Sequence, residues 1–288
     1  MNLTNLGFFS IMMMRTVLIG IVIFREKYWE TVTFKKLLRL SEKLPHGERI
    51  TIFIFDNTDL PQWDVEHGFL GNEKITVFYT HDSNNPGISK AYNQIAEYAK
   101  DNQFSHIVFL DQDTDLPQDF LFVYQQIVDK DVDIAAPLIY ENGKLLSPGM
   151  YKNYRSSFYK IIEGEKIELK DNSCINSGLL IKTDFFYKVG GYNESLRLDF
   201  CDHEFIKRVG TFTKFLNIIP VKLEQNFSTN TNPQSKALFR YALFTKDIKS
   251  FKRIHNNDFR ITLFVDLPHL IRLTLQYKSL AFIKQRFC

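Results

Sequence analysis

The sequence predicts an α/β protein, a three-layer sandwich with a mostly parallel central sheet followed by C-terminal helices. Two features predict it. Short apolar runs recur at 16–24, 49–55, 75–79, 106–110 and 133–136, as strands buried on both faces require. Between them lie stretches whose apolar residues repeat every three or four positions, the spacing of one helix face. Strands and helices in alternation build a sheet covered on both sides. A chain of 288 residues with 44% apolar content has enough material for such a core.

Residues 1–13 are expected to be a poorly ordered extension, because Arg15 interrupts the apolar stretch LGFFSIMMMRTVLIGIVIF and Met14 can itself start a chain. A signal peptide would show a basic start and a small-residue cleavage site, and neither is present. TVLIGIVIF then reads as the first strand of a domain over 14–230. Trp29 to Leu44 reads as a helix. So do Ile88, Ala91, Tyr92, Ile95, Ala96 and Ala99, and after them Phe120, Leu121, Tyr124, Ile127 and Val128. After Pro137 a polar, Tyr-rich stretch reads as hairpins or an irregular insertion over the sheet. SGLLIK reads as a further strand, leading to a short helix and the turn VGGYNESLRLDFCDHEF.

Residues 231–288 read as a basic amphipathic helical segment. From Lys236 onward there are 11 Lys/Arg against 3 Asp/Glu, a charge of +8, while the preceding 235 residues carry −5. Such helices either pack on the core with Lys and Arg facing water or rest on an anionic membrane surface. The basic residues cluster in an apolar tail without stacking motifs, which argues against nucleic acid. Cys174, Cys201 and Cys288 are odd in number and lack metal or disulfide spacing, which fits a reducing cytoplasm, with the basic C-terminal segment allowing peripheral contact at the inner face of the cell membrane.

Four motifs fall at strand ends or helix starts, where ligands collect in parallel sheets. In HIVFLDQDTDLP, Asp111 and Asp113 are two apart on an extended chain and point the same way, so both can approach one hard cation such as Mg²⁺ or Mn²⁺. In FIFDNTD, Asp56 can accept the imide N–H of a pyrimidine, or can close an Asx-turn. In SNNPGISKAYN, Asn85, Gly87, Lys90 and Asn93 surround a helix start suited to phosphate or sugar, and Asn85 or Ser89 can equally cap that helix. In LRLDFCDHEFIKRV, Asp202 can be a general base, while His203, flanked by acids, reads as a surface residue.

In this order the motifs resemble those of family-2 glycosyltransferases with a GT-A (nucleotide-diphospho-sugar transferase) fold, in particular the bacterial rhamnosyltransferase-like branch. The resemblance runs from VLIGIVIF through IFDNTD, NNPGISKAYN, FLDQDTDLP and NSGLLIKTDFFYKVGGYNESLRLD to DFCDHEFIKR. It implies an inverting enzyme that moves a sugar from a dTDP- or UDP-sugar donor to a growing surface polysaccharide or lipid-linked oligosaccharide. Asp56 would take the base, Asp111 and Asp113 the donor and its Mg²⁺ or Mn²⁺, and Asn85, Gly87, Lys90 and Asn93 would line the donor site. Asp202 would be the catalytic base, with Glu204 supporting it or touching the acceptor, and Asn176, Ser177 and Gly178 would flank the sugar. The LDQDT form leans towards dTDP-rhamnose.

The chain departs from the pattern twice. VKLEQNFSTN stands where relatives carry a metal-binding histidine, leaving Gln225 or Asn226 to offer an amide oxygen. IFREKYW replaces the usual end of the first strand, leaving Arg25 to touch donor phosphates or base. Two other readings compete: a haloacid-dehalogenase-like phosphohydrolase using Asp111 as nucleophile, and a membrane-associated binding protein that has lost catalysis.

Overall fold

The computed structural model describes residues 16–62, 71–159, 165–225 and 233–287. The expected extension over 1–13, the boundary at 230/231 and Asn226 lie outside the described residues. The sheet is centred on β1 (Val17–Ile23), whose unbroken apolar run is buried on both faces. Parallel to it run β2 (Ile50–Asp56) and then β4 (Ile75–His81) on one side, and β5 (His106–Asp111) on the other. The two-residue β3 (Gly71–Asn72) closes the β4 edge. Beyond β5 comes the antiparallel β12 (Leu180–Lys182), then β6 (Ile134–Glu141), the parallel β13 (Phe215–Glu224) and the short β10 (Lys166–Glu168).

Helices cover both faces. On one side α1 (Val32–Ser41) and α3 (Phe120–Asp129) pack Phe34, Leu37, Phe120 and Tyr124 against Ile19, Ile52 and Leu110. On the other, α2 (Ile88–Asp101), α4 (Thr183–Val189) and α5 (Cys201–Val209) share a core with the C-terminal helices. Gly20 lets α2 approach β1, since a Cβ there would lie 2.5 Å from Ile95.

The stretch after Pro137 is a hairpin and a small second sheet, as expected. β7 (Lys144–Ser147) folds back on β6, and β8 (Gly149–Lys152) pairs β9 (Arg155–Ser157) and β11 (Asn172–Ser173). Strand β6 nevertheless runs through Pro137. Its pairing with β12 stops at Ala135, so the missing N–H of Pro137 costs no bond on that side. β13, which the sequence reading passed over, alternates buried and exposed residues along FLNIIPVKLE.

At the C-terminus α6 (Gln234–His255) buries Tyr241, Phe244, Ile248 and Phe251 in the α2-side core. A second helical run follows: α7 (Asp258–Ile261), a π-helical turn over Thr262–Asp266 and α8 (Leu267–Tyr277). It ends in α9 (Ala281–Phe287). Buried Asp266 ties these pieces together, accepting from Lys252 at 2.8 Å and from Arg286 at 2.6 Å and 3.1 Å.

Burial alone would raise the Asp266 carboxyl, but hydrogen bonds and charge from Arg286 and Lys252 outweigh it and hold the group below the usual carboxylate range. Because the folded value is depressed, the stabilisation is present above the usual Asp range and is lost as pH falls through the folded value. Asp266→Ala leaves two cations unpaired and is expected to cost about 3–5 kcal/mol in urea unfolding at neutral pH. The difference from wild type should shrink as the solution is acidified below the ordinary Asp pKa.

Candidate active site

The carboxyl ends of β1, β2 and β5 open into a cleft of about 710 Å³ lined by Phe24, Arg25, Asn57, Asn85, Gly87 and Asp111 among others. At its floor, the chain leaving β5 is held in a fixed turn by neighbours. Thr33, in the first turn of α1, donates its hydroxyl to the Asp111 carbonyl at 2.5 Å and accepts from the Thr114 amide at 2.9 Å. Thr114 in turn bonds Ser177 Oγ at 2.7 Å. Gln112 points the other way, accepting from the Phe24 amide at 2.7 Å and donating to Glu26 at 2.8 Å.

Asp111 and Asp113 converge as the extended geometry predicts. Gln225, directly after β13, donates Nε2 to Asp111 Oδ2 at 2.8 Å and to Asp113 Oδ1 at 3.4 Å. Tyr92 donates to Asp111 Oδ1 at 3.4 Å. Burial pushes the Asp111 carboxyl up to about 6, with the nearby charges of Asp113 and Asp202 adding to it and the bonds from Gln225 and Tyr92 opposing. Asp113 and Glu26 are also raised by burial, and Glu26 further by the charge of Asp113. Both Asp111 oxygens accept hydrogen bonds inside this floor.

Among the described residues no three His, Cys, Asp or Glu side chains gather into a metal cluster. The donor set is instead two carboxylates and an amide. Gln225 Oε1 is buried without a partner among the described residues, and a half-turn of the amide exchanges it with Nε2. Such oxygens suit a hard divalent cation, and the mutually repelling carboxylates gain from one, so the residues fit such an ion.

The walls correct several expectations. Asp56 is buried and its carboxylate is occupied: it accepts from the Thr58 amide at 2.9 Å, the Gln62 amide at 2.8 Å and Tyr79 Oη at 2.5 Å. The Asx-turn is therefore its role in this conformation. The adjacent Asn57 lines the cleft, and its Oδ1 has no partner among the described residues. Arg25 lines the rim with positive φ and pairs with Asp59 at 3.2 Å.

Neither Asn85 nor Ser89 caps α2. The loop at Leu196 and Arg197 lies over its start, so Ser89 donates to the Leu196 carbonyl and Arg197 to the Asn85 carbonyl, while the Ile88 amide donates to the Arg197 carbonyl at 2.6 Å. Gly87 is needed for that approach, at φ 98° and with a Cβ position 2.5 Å from the Arg197 carbonyl. Lys90 and Asn93 border a separate depression with Glu97 and Lys100. Asn93 spends its amide on Tyr192 and Glu194, because α2 turns that face towards the 191–194 loop.

Asp202 is in the first turn of α5, partly exposed, and accepts from the His203 amide at 2.7 Å. His203 is no free surface residue: it stacks on Tyr151 at 4.0 Å and bonds Ser173 at 2.8 Å. Glu204 points away from the cleft. It is buried and bound to Arg208 at 2.7 Å and 2.8 Å, and Arg208 grips the carbonyls of Val189 and Gly191. Asn176, Ser177 and Gly178 lie behind β5: Asn176 is bonded to Tyr192 and Cys201, Ser177 to Thr114, and the Gly178 carbonyl to Tyr124. They are buried supports. Asp115, next in the same turn, pairs with Lys36 at 2.7 Å.

Sequence reasoning missed the buttress supplied by α6. Buried Asp247 accepts from the amides of Arg197, Leu198 and Asp199 at 3.0, 2.8 and 2.7 Å. Arg240 clasps Asp199 with two bonds of 2.5 and 2.6 Å. These contacts fix the segment entering α5, and with it Asp202. A single acid in an otherwise basic helix was the available signal.

No family model matches the chain. Over 149 residues it is 27% identical to dTDP-rhamnosyl transferase RfbF of Shigella flexneri, which covers 47% of each protein, so the chain spans about half the length of that curated relative. Solved structures are similar at lower identity. S. aureus TarS 1–349 in complex with UDP-GlcNAc superposes with a TM-score of 0.56 at 12% identity over 93% of this chain and 79% of its own. GalNAc-T7 with UDP, GalNAc and Mn²⁺ gives 0.56 at 14% identity over 88% of this chain and 57% of its own. Strand order, the acidic turn at the end of β5 and these superpositions agree, and the chain has the GT-A fold of the nucleotide-sugar glycosyltransferases.

Proposed function

We propose that this protein is an inverting glycosyltransferase that moves a sugar from a nucleotide-diphosphate donor, dTDP-rhamnose or a UDP-hexose, to a hydroxyl of a growing surface polysaccharide or lipid-linked oligosaccharide. The observation that carries this is that Gln225 bridges Asp113 and Asp111, the latter lining the cleft, with the charge of Asp202 close enough to raise Asp111. The named relative is a dTDP-rhamnosyl transferase and the solved neighbours hold UDP or UDP-GlcNAc, which supports a nucleotide-sugar donor.

In this reading Asp111, Asp113 and, after rotation of its amide, Gln225 hold Mg²⁺ or Mn²⁺. When bound there, such an ion would supply positive charge that offsets the charge developing on the diphosphate leaving group. Asn57 Oδ1 is the acceptor left open for a pyrimidine imide N–H, while Asp56 shapes the turn that presents it. Arg25, Arg197, Lys236 and Arg240 are cations lining the cleft. Asp202 takes the proton of the acceptor hydroxyl as that oxygen bonds the anomeric carbon. The bond from that carbon to the diphosphate oxygen breaks on the opposite face, which inverts the centre without a covalent enzyme intermediate.

Transfer or hydrolysis from a panel of dTDP- and UDP-sugars, with and without Mn²⁺, tests the reading directly. Asp202→Asn should lower turnover by about 10²- to 10⁴-fold with donor affinity nearly unchanged. Full activity in that variant would refute the assignment. Calorimetry separates the acids of the turn. Asp113→Asn and Gln225→Ala should each weaken Mn²⁺ binding by about tenfold or more. Asp115→Asn removes only an exposed ion pair and should leave Mn²⁺ binding intact at a stability cost below about 1 kcal/mol.

A further inference from the structure

The helical run 258–277 is apolar on two faces. Ile261, Leu270 and Leu273 are buried against the core. Phe259, Leu263, Leu267, Ile271 and Leu275 form a second row at four-residue steps, and all are exposed, from 39% at Leu267 to 76% at Phe259. In a regular α-helix a four-residue step drifts by about 40° around the axis. The wider π turn over Thr262–Asp266 rotates part of that drift back and keeps the row in one stripe. Leu280 and Phe287 continue the exposed apolar surface onto α9. The simple expectation of Lys and Arg facing water over this segment is therefore incomplete: an uncovered apolar row shares that surface with them.

Charge decides what covers the stripe. Arg260, Arg272, Lys278 and Lys284 flank it, and Asp258 is the one exposed acid among the described residues of 258–287. Pairing two copies through this stripe would bring like charges together. At the Phe259 end, Arg260 also lines a cleft of about 720 Å³ with Lys152, Lys170, Lys207 and Lys214, against the single acid Asp171. Lys152, Lys170 and Arg260 have no carboxylate partner among the described residues. An apolar row edged by cations matches the boundary between acyl chains and anionic headgroups. No helix among the described residues is long and apolar enough to cross a membrane.

We propose that the stripe from Phe259 to Leu275, with its flanking cations and the basic cleft at its end, docks the protein on the surface of an anionic phospholipid bilayer. The apolar row enters the headgroup boundary, and the cations and the cleft take lipid phosphates. The assignment does not depend on the reaction proposed above, because none of these residues belongs to the donor cleft.

The test is sedimentation of the full chain with vesicles of phosphatidylcholine alone and with vesicles in which about a third of the lipid is phosphatidylglycerol. Wild type should bind the anionic vesicles at least about tenfold more tightly than the neutral ones. The triple variant Leu263→Ser, Ile271→Ser, Leu275→Ser should lose about tenfold or more of that binding with its thermal unfolding midpoint unchanged. The charge variant Arg272→Glu, Lys278→Glu should lose the preference for anionic lipid. Equal binding of wild type and the triple variant would overturn the proposal. So would absence of vesicle binding, or a wild-type dimer that the triple variant converts to monomer.

Discussion

The structure is organised around a concentration of negative charge that forms no ion pair with a Lys or Arg among the described residues. Asp111 and Asp113 lie together at the end of a buried strand, Glu26 stands close to Asp113, and the charge of Asp202 reaches Asp111. What meets the two aspartates is a neutral amide, Gln225 Nε2. Burial without a cation raises the carboxyls, and a fold accepts that penalty only where other contacts over-determine the geometry. Those contacts are present: Thr33, Thr114 and Ser177 lock the backbone of the turn, and Gln112 ties it to the end of β1.

The second requirement is to bring Asp202 to that turn from a distant part of the chain. α5 starts after Phe200, in the left-handed region at φ 66°, and the segment before it is fixed by tertiary contacts. Asp247 satisfies three successive amides there, and the paired bonds from Arg240 hold Asp199. Both residues belong to α6. The helix that reads in sequence as part of a basic tail is thus a structural wall of the site, and Ser235, Lys236, Phe239 and Leu243 from the same helix line the cleft.

The sheet was legible because strands buried on both faces leave continuous apolar runs, and five of them map onto β1, β2, β4, β5 and β6. β13 was not, since its alternating pattern includes Pro220 and a register shift between Ile219 and Lys222. In the site, residue type and position were legible and side-chain direction was not. Asp111 and Asp113 follow from the period of two. In this conformation Asn93 faces a neighbouring loop, and Glu204, two residues beyond Asp202 on α5, is turned by about 200° to another face of the helix. The partner of Asn93, the Tyr192 backbone, is set by packing that local spacing does not encode, whereas Glu204 and Arg208 form an i,i+4 pair that the helix spacing itself offers. In this conformation Asp56 takes the alternative that its own sequence offered, the Asx-turn.

The C-terminal layer joins these themes. α6 packs its apolar face on the α2-side core, lends Asp247 and Arg240 to the cleft, and gives Lys252 to the Asp266 ion triad. Asp266 stands at the junction of the π turn with α8, between the exposed stripe and the core, and Arg286 of α9 closes the same triad. The exposed row therefore cannot shift without disturbing a buried carboxylate shared by three helices, and α6 is the piece common to that carboxylate and the cleft. A surface bound by the stripe is held at a fixed distance from the donor cleft by one continuous helix. This arrangement suits an acceptor presented at that surface, because the helix that positions Asp202 is the same one that anchors the docking layer.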